Sequence, residues 1–399
     1  MHPQIERLSN LSFKKERTIL GLMSGTSLDG LDIALCTLKG FGKNTEMHLE
    51  KFSSHEYNNQ YRTNIRKVFS KREVDLQTLS GLHAWVGNYH ASCVLEVLKN
   101  WGISSKDIDL IASHGQSVFH APQRWTKDNL LPNSTFQIGD GDHIAVKTGI
   151  ITLSDFRQKH VAAGGEGAPL VAYGDQLLYS HEREYRVSLN IGGISNYTFL
   201  PKKGSKMSAF ATDVGPGNTL MNSYMHKYFG LEMDRGASIA SKGEVNSALL
   251  EALLGHSFFN EKLPKTTGPE LFNLSYVERC KAQSGIPPIS HEDIMCTLCE
   301  FSAKAICDSI LSLKNDYAVD ITVYISGGGL HNPLLYERIK DRLKSAVPVH
   351  SFELLGMNPD AKEACLFAVL ANETVAGEGG NYQILDNPNI CMGKISLPY

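Results

Sequence analysis

Two stretches of this chain share one design, and they constrain its fold more than any other feature. "ILGLMSGTSLDGLDIALC" runs from Ile19 to Cys36, and "YRVSLNIGGISNYTFL" from Tyr185 to Leu200. In each, apolar runs flank a short polar turn rich in glycine. Such runs, bounded by glycine, serine and asparagine, predict paired strands. A strand–turn–strand near the start of each half points to a coarse duplication.

The segments between them read as α/β. Residues 74–100 carry apolar residues at three- and four-residue spacing, which predicts a helix. "DIDLIASHGQSVFH" (107–120) reads as a short strand running into a polar turn. Residues 135–157 read as strand, Gly-Asp turn, helical piece and strand. Gly164, Gly165 and Gly167 form a flexible connection, the best candidate for a domain junction. This places an N-terminal lobe at 1–160 and a C-terminal lobe at 161–399, with the last helix free to pack back across the boundary. A helical region from about Leu249 to Lys314 is broken at 264–269 and at "GIPPIS". A strand, the triple glycine Gly327–Gly329 and a helix follow over 320–343, then a last helix over 360–378. With 399 residues, two domains are the default.

Composition narrows the class. The hydrophobic fraction is 42% and the charged fraction 20%, values of an ordinary globular protein. A net charge of −3 gives no electrostatic case for nucleic acid or an anionic membrane surface. No apolar run reaches the roughly 18 residues of a membrane span, and the charged N-terminus lacks a signal-peptide core, so a cytoplasmic location is expected. Cys296 and Cys299 form a lone CxxC within a helical pattern, which reads as buried thiols; neither a structural metal nor a disulfide framework is expected.

Converging backbone N–H groups hold phosphate well, and glycine permits the turn that brings them together. Three segments end a strand in such a turn: Ser24–Gly30, Gly192–Asn196 and Gly327–Gly329. Each alone reads as a tight turn; three in one chain favour nucleotide binding. The first adds Thr26, Ser27, Asp29 and Asp32, whose hydroxyls suit phosphate oxygens and whose carboxylates suit Mg²⁺. Neither a GxxxxGK[ST] loop nor a GxGxxG fingerprint is present, and the protein-kinase motifs are missing.

Phosphoryl transfer also needs a residue that activates or orients the nucleophile. Asp213 in "ATDVGPGNTLM" sits where a strand should give way to turn and helix, a place where aspartate also serves as a helix cap. Asp155 in "LSDFR" is the rival, with Arg157 as a candidate salt-bridge partner. Glu363 falls in the first turn of the last helix, where the helix dipole alone would favour it. His114 and His120 flank a Gly-Gln turn and suit hydrogen bonding or catalysis.

Taken in order, "GLMSGTSLDGLDIAL", "SHGQSVFH", "SDFRQKHVAAGGEGAPLV", "LNIGGISN", "DVGPGNTLM", "ISGGGLHNPLL" and "PDAKEACLFAVLA" resemble the anhydro-N-acetylmuramic acid kinase family from about Thr18 to the C-terminus. The resemblance implies a two-lobed actin-like ATPase fold, a mixed β-sheet flanked by helices in each lobe, with ATP in the interlobe cleft. It implies that ATP and water convert 1,6-anhydro-N-acetylmuramic acid to N-acetylmuramic acid 6-phosphate and ADP, in peptidoglycan recycling. Asp213 matches the family's general base. Gly25, Thr26, Ser27, Leu28, Asp29, Gly30, Leu31 and Asp32 match its ATP-binding segment, with Asp32 expected at Mg²⁺. Gly192 and Gly193 are expected at the phosphates and Gly327, Gly328 and Gly329 on the adenosine side. Gln116, His120, Asp155 and Glu363 are expected at the sugar. The family also implies a homodimer, with no nucleic-acid or membrane partner.

Three departures stand out. Gly141 replaces the proline of the family's "IGDP", which predicts a looser sugar-side loop over Gly139–Asp142. The segment from His120 to Gln137 is longer than expected. Glu166 stands where glutamine is common.

Overall fold

The strand pairs predicted near the start of each half are present, and each opens a sheet. The protein is described from a computed structural model covering residues 1–123, 130–379, 382 and 384–399. The chain first forms α1 (Pro3–Phe13), β1 (Glu16–Ser24), β2 (Gly30–Lys39), β3 (Glu46–Glu56), α2 (Asn59–Arg66) and α3 (Leu76–Trp101). It continues through β4 (Leu110–Ala121), β5 (Ser134–Ile138), α4 (Gly141–Thr148), β6 (Ile151–Ser154), α5 (Phe156–Ala162) and α6 (Val171–Tyr179). Then come β7 (Tyr185–Ile191), β8 (Ile194–Leu200), β9 (Phe210–Pro216), α7 (Thr219–Phe229), α8 (Ser247–Leu254), α9 (Leu274–Ser284) and α10 (His291–Tyr317). The last elements are β10 (Ile321–Ser326), α11 (Pro333–Leu343), β11 (Val349–Ser351), α12 (Lys362–Ala376) and β12 (Lys394–Ser396).

Two compact units result: Met1–Leu178 with Ala361–Tyr399, and Tyr179–Asp360. The division falls after α6 rather than at residue 160, and α12 belongs to the first unit. The glycines expected as a flexible junction lie inside that unit. His160 Nδ1 accepts the Gly167 N–H at 2.9 Å, and Gly165 lies against the same imidazole ring. The segment is wrapped around a buried histidine, which removes its freedom to act as a hinge.

The duplication is explicit in the sheets. The first has strand order β12-β6-β4-β1-β2-β3, with β5 on β4; the second has β11-β10-β7-β8-β9. In the first, β1, β2 and β3 are antiparallel neighbours, while β4 and β6 run parallel to β1. In the second, β7, β8 and β9 are antiparallel neighbours, while β10 and β11 run parallel to β7. For the five strands β6-β4-β1-β2-β3 order and direction match those of β11-β10-β7-β8-β9, with β12 and β5 added in the first sheet, so each unit is an α/β body on a mixed sheet, as expected.

Strand alternation sends neighbouring side chains to opposite faces. Leu20, Leu22, Leu31 and Ile33 join the core formed with α3. Gly21 faces the other way, and a methyl there would strike the Ala364 carbonyl of α12. We expect Gly21→Ala to destabilise the first unit by about 3 kcal/mol, because backbone cannot yield as a side chain can. Chemical denaturation measures this; a change below about 1 kcal/mol would mean that α12 slides freely. In the second unit, α10 packs into the core, and its Cys296, Cys299 and Cys307 are buried free thiols, as the helical reading of the CxxC implied. No described helix is long and apolar enough to cross a membrane.

Candidate active site

Parallel strands end on the same edge of a sheet, which is where α/β proteins place ligands. In the first unit β1, β4 and β6 do so. Ser24 lies beside Gln116, and Ala112 of β4 beside Leu153 of β6, so the first glycine turn, the far half of β4 and Asp155 leave one edge.

The turn itself is exposed at Thr26, Ser27 and Asp29. Their backbone N–H groups donate to no acceptor among the described residues. The carbonyls, in contrast, are tied down. The Ser24 carbonyl accepts from His114 Nδ1 at 3.3 Å, and that of Gly25 from Gln116 Nε2 at 3.1 Å. The Leu28 and Asp29 carbonyls accept from Arg62 at 3.0 and 3.4 Å. With oxygens held by the protein and N–H groups left over, the turn is a ready anion cradle. Leu28 and Leu31 send their side chains into the core, so only their backbone can serve a ligand. Gly30 packs against the His55 carbonyl. Asp32 is half-buried on β2, facing away from the α3 core.

"SHGQSVFH" is not a turn. It is strand throughout, with a register shift against β1 near Gly115 and pairing to β5 that carries His120 opposite Thr135. His120 is exposed on that strand. Gln116 is fully buried: its Oε1 accepts from Ser24 Oγ at 2.6 Å, and its amide donates to Gly25 and Ser117 carbonyls. Its place is under the glycine turn.

Asp155 does not pair with Arg157. It has a left-handed backbone (φ 56°), and its carboxylate meets Lys394 Nζ at 2.8 Å. Arg157 instead donates from Nε to His114 Nε2 at 2.8 Å and from Nη1 to the Gly167 carbonyl at 2.7 Å. His114 is therefore neutral with its proton on Nδ1; burial, and then Arg157, push its pKa well down. Burial lowers Arg157 to about 10 against the pull of Glu363. Glu363 reaches solvent at the start of α12. Protein packed around it raises its pKa above the ordinary carboxylate value, although Arg157 and Lys362 oppose this.

The Gly139–Asp142 segment is tightly held, not loose. Asp140 caps α4 by accepting the Asp142 N–H at 2.7 Å, His83 Nδ1 accepts the Gly139 N–H at 3.1 Å, and Gly141 packs on Ser154 and Ser396. Glu166 is half-buried, and part of the lengthened segment, 124–129, lies outside the described residues.

In the second unit β7 and β10 are parallel neighbours, with Asn190 beside Ser326, so the turns at Gly192-Gly193 and Gly327–Gly329 share one edge. Gly327 has φ 88°, and a methyl there would strike the Asn190 side chain and the Ile191 carbonyl; one at Gly329 would strike the Ile191 side chain. Gly328 has open space around it. The Gly193 carbonyl accepts from Gly217 and Thr219, and that of Gly192 from Asn218, which ties the turn to the start of α7.

Asp213 lies within β9, which continues to Pro216 instead of ending at the aspartate. Asn196 pairs with Asp213 and Ser195 with Gly215, so the strand bulges at Val214, a common way to re-aim a side chain. The α7 cap residue is Asn218, so Asp213 is not a helix cap. Its Oδ2 accepts the Thr267 N–H at 2.9 Å, and its own N–H donates to the Lys265 carbonyl at 2.9 Å.

The family model described as anhydro-N-acetylmuramic acid kinase matches residues 17–385. The chain belongs to that family. A relative of this name from Pseudoalteromonas atlantica is 47% identical over 404 residues, covering 100% of both chains. Another, from Caldanaerobacter subterraneus subsp. tengcongensis, is 38% identical over 397 residues, covering 98% of this chain and 100% of its own. A third, from Bacillus cereus, is 35% identical over 383 residues, covering 95% and 99%.

Several residues that frame the first turn and Asp213 escaped the sequence reading. The stretch 264–269 looked only like a helix breaker, yet Lys265 and Thr267 hold Asp213. Tyr57 and Arg62, which grip the first turn, sit in an unremarkable polar and aromatic segment.

Proposed function

We propose that this kinase uses ATP and water to convert 1,6-anhydro-N-acetylmuramic acid into N-acetylmuramic acid 6-phosphate and ADP, within the reuse of peptidoglycan fragments. The observation that carries the reading is the turn at Thr26, Ser27 and Asp29, with its backbone oxygens held inward and its N–H groups left for an anion. In this reading Gly25–Asp32 serve the ATP phosphates, and Gly192, Gly193 and Gly327–Gly329 are assigned to nucleotide binding. Asp213 accepts a proton from the water that attacks the anomeric carbon. The bond from that carbon to the 6-oxygen breaks, the 6-oxygen takes the γ-phosphoryl group, and ADP leaves. His120, Asp155 and Glu363 are assigned to the sugar, with Gln116 acting from beneath the turn.

Among the described residues no group of three or more metal-ligating side chains occurs. A single half-buried carboxylate, Asp32, suits Mg²⁺, which keeps several waters and takes its other ligands from nucleotide phosphates. When bound, the ion would neutralise phosphate charge. The assembly in this reading is a homodimer.

Mass analysis of the product tests the proposal. Incubation with ATP and the anhydro sugar is expected to yield a product heavier by both one water and one phosphate. A product that gains phosphate alone identifies an ordinary sugar kinase. Nucleotide binding without any sugar turnover identifies a regulatory ATP-binding module.

A further inference from the structure

One buried residue outside the first glycine turn ties its two ends together. Tyr57 follows β3; its N–H donates to the Asp29 carbonyl at 2.9 Å and its hydroxyl to Ser24 Oγ at 2.7 Å. Tyr61 of α2 stacks on it, with ring centroids 3.7 Å apart and planes 15° from parallel. Both hydroxyls approach His90 Nε2 of α3, at 3.0 and 3.2 Å. Tyr57 is 2% exposed, and Ser24, Tyr61, His90 and Gln116 are 0% exposed.

Counting protons gives this cluster a direction. The Gln116 amide nitrogen donates to two carbonyls, so Gln116 Oε1 is an acceptor. Ser24 therefore donates its only hydroxyl proton to that oxygen, and Tyr57 donates its own to Ser24. The Tyr57 oxygen is left to accept from His90, which must carry its proton on Nε2. Burial lowers the His90 pKa to about 3, so the ring is neutral, and its Nδ1 has no partner among the described residues. The hydrogen bonds run one way, from His90 through Tyr57, Ser24 and Gln116 to the Gly25 carbonyl. A buried chain in which the Tyr57 and Ser24 hydroxyls each have one acceptor leaves the turn a single low-energy position.

We infer that Tyr57 is a positioning residue for the nucleotide phosphates: it fixes Ser24 and Asp29 so that the N–H groups between them point at one anion. This rests on the reading that the turn holds ATP. Removing the hydroxyl leaves Ser24 Oγ without its donor and His90 Nε2–H with only the more distant Tyr61. The turn then relaxes while the sugar-side residues stay in place.

Tyr57→Phe keeps the stacked ring and the backbone N–H and deletes only the hydroxyl. The KM for ATP is expected to rise about ten-fold, with kcat and the KM for the sugar changing less than two-fold. Ser24→Ala removes the same bond together with the Ser24–Gln116 bond and should give at least the same rise, and the double variant should be no worse than Ser24→Ala alone. An unchanged KM for ATP, or a parallel loss for both substrates with a lowered Tm, overturns the inference. Titration calorimetry with ADP separates the two levels. Wild-type protein that fails to bind ADP defeats the ATP reading, whereas equal binding by wild type and Tyr57→Phe defeats only the role of Tyr57.

Discussion

Asp213→Asn is expected to lower kcat by at least ~100-fold while leaving ATP affinity nearly unchanged, the usual scale for loss of a general base. The substitution is a clean one here. The Thr267 N–H that meets Asp213 Oδ2 can be accepted equally by the amide oxygen of asparagine, and the backbone bond to Lys265 does not depend on the side chain. Shape and these two anchors persist, while the capacity to take a proton is lost. Steady-state turnover with the anhydro sugar, read beside nucleotide titration, checks this. Near-wild-type turnover would move the base to Glu363 or Asp155. Asp155 is the weaker of these, because its carboxylate is already engaged by Lys394 at 2.8 Å.

Acidification from pH 7 to pH 5 is expected to weaken the first unit sharply. Three of its histidines are buried and neutral. Burial lowers His90 to about 3 and His160 to about 4, and pushes His114 well below its ordinary value. In the unfolded chain each titrates near 6.5. Between those values the unfolded state binds protons that the native state refuses, so native stability falls as pH drops below about 6.5. The stabilisation is complete above that pH and is lost progressively towards the folded pKa values. At pH 5 His90 and His160 each cost up to about 2 kcal/mol, about 4 kcal/mol for the two, a large part of the whole stability of a typical domain, and His114 acts in the same direction. The contacts explain the refusal: His114 Nε2 accepts from the Arg157 cation, and His160 Nδ1 accepts from the Gly167 N–H. Scanning calorimetry at pH 7, 6 and 5 should show Tm falling by more than about 10 °C, with the first unit melting first. A Tm that stays level across this range would place protons on these rings in the native state.

The strand pairs at 19–38 and 185–200 were legible because they rest on local chemistry: period-two burial, glycine at the turn, and a flanking apolar run. The helices at 74–100 and 360–378 were legible from their own periodicity. The family was legible because its motifs are contiguous stretches, and Asp213 came with one of them.

What the tertiary structure alone decided was partnership over distance. "SHGQSVFH" looked like a turn because its side chains are polar, but polar residues form a strand where neighbouring strands supply partners on both sides. "AAGGEGAP" looked flexible because glycine is, until the buried His160 gave it something to wrap around. Asp155 had a cation two residues away and took one from the far end of the chain. Asp213 is held by Lys265 and Thr267, more than fifty residues on, and Tyr57 grips a turn that precedes it by a whole hairpin. Sequence order carries conformational preference over a few residues, which is enough to draw strands, turns and helices. Which buried donor meets which acceptor depends on how those elements pack, and that is settled only when the sheets close over their cores.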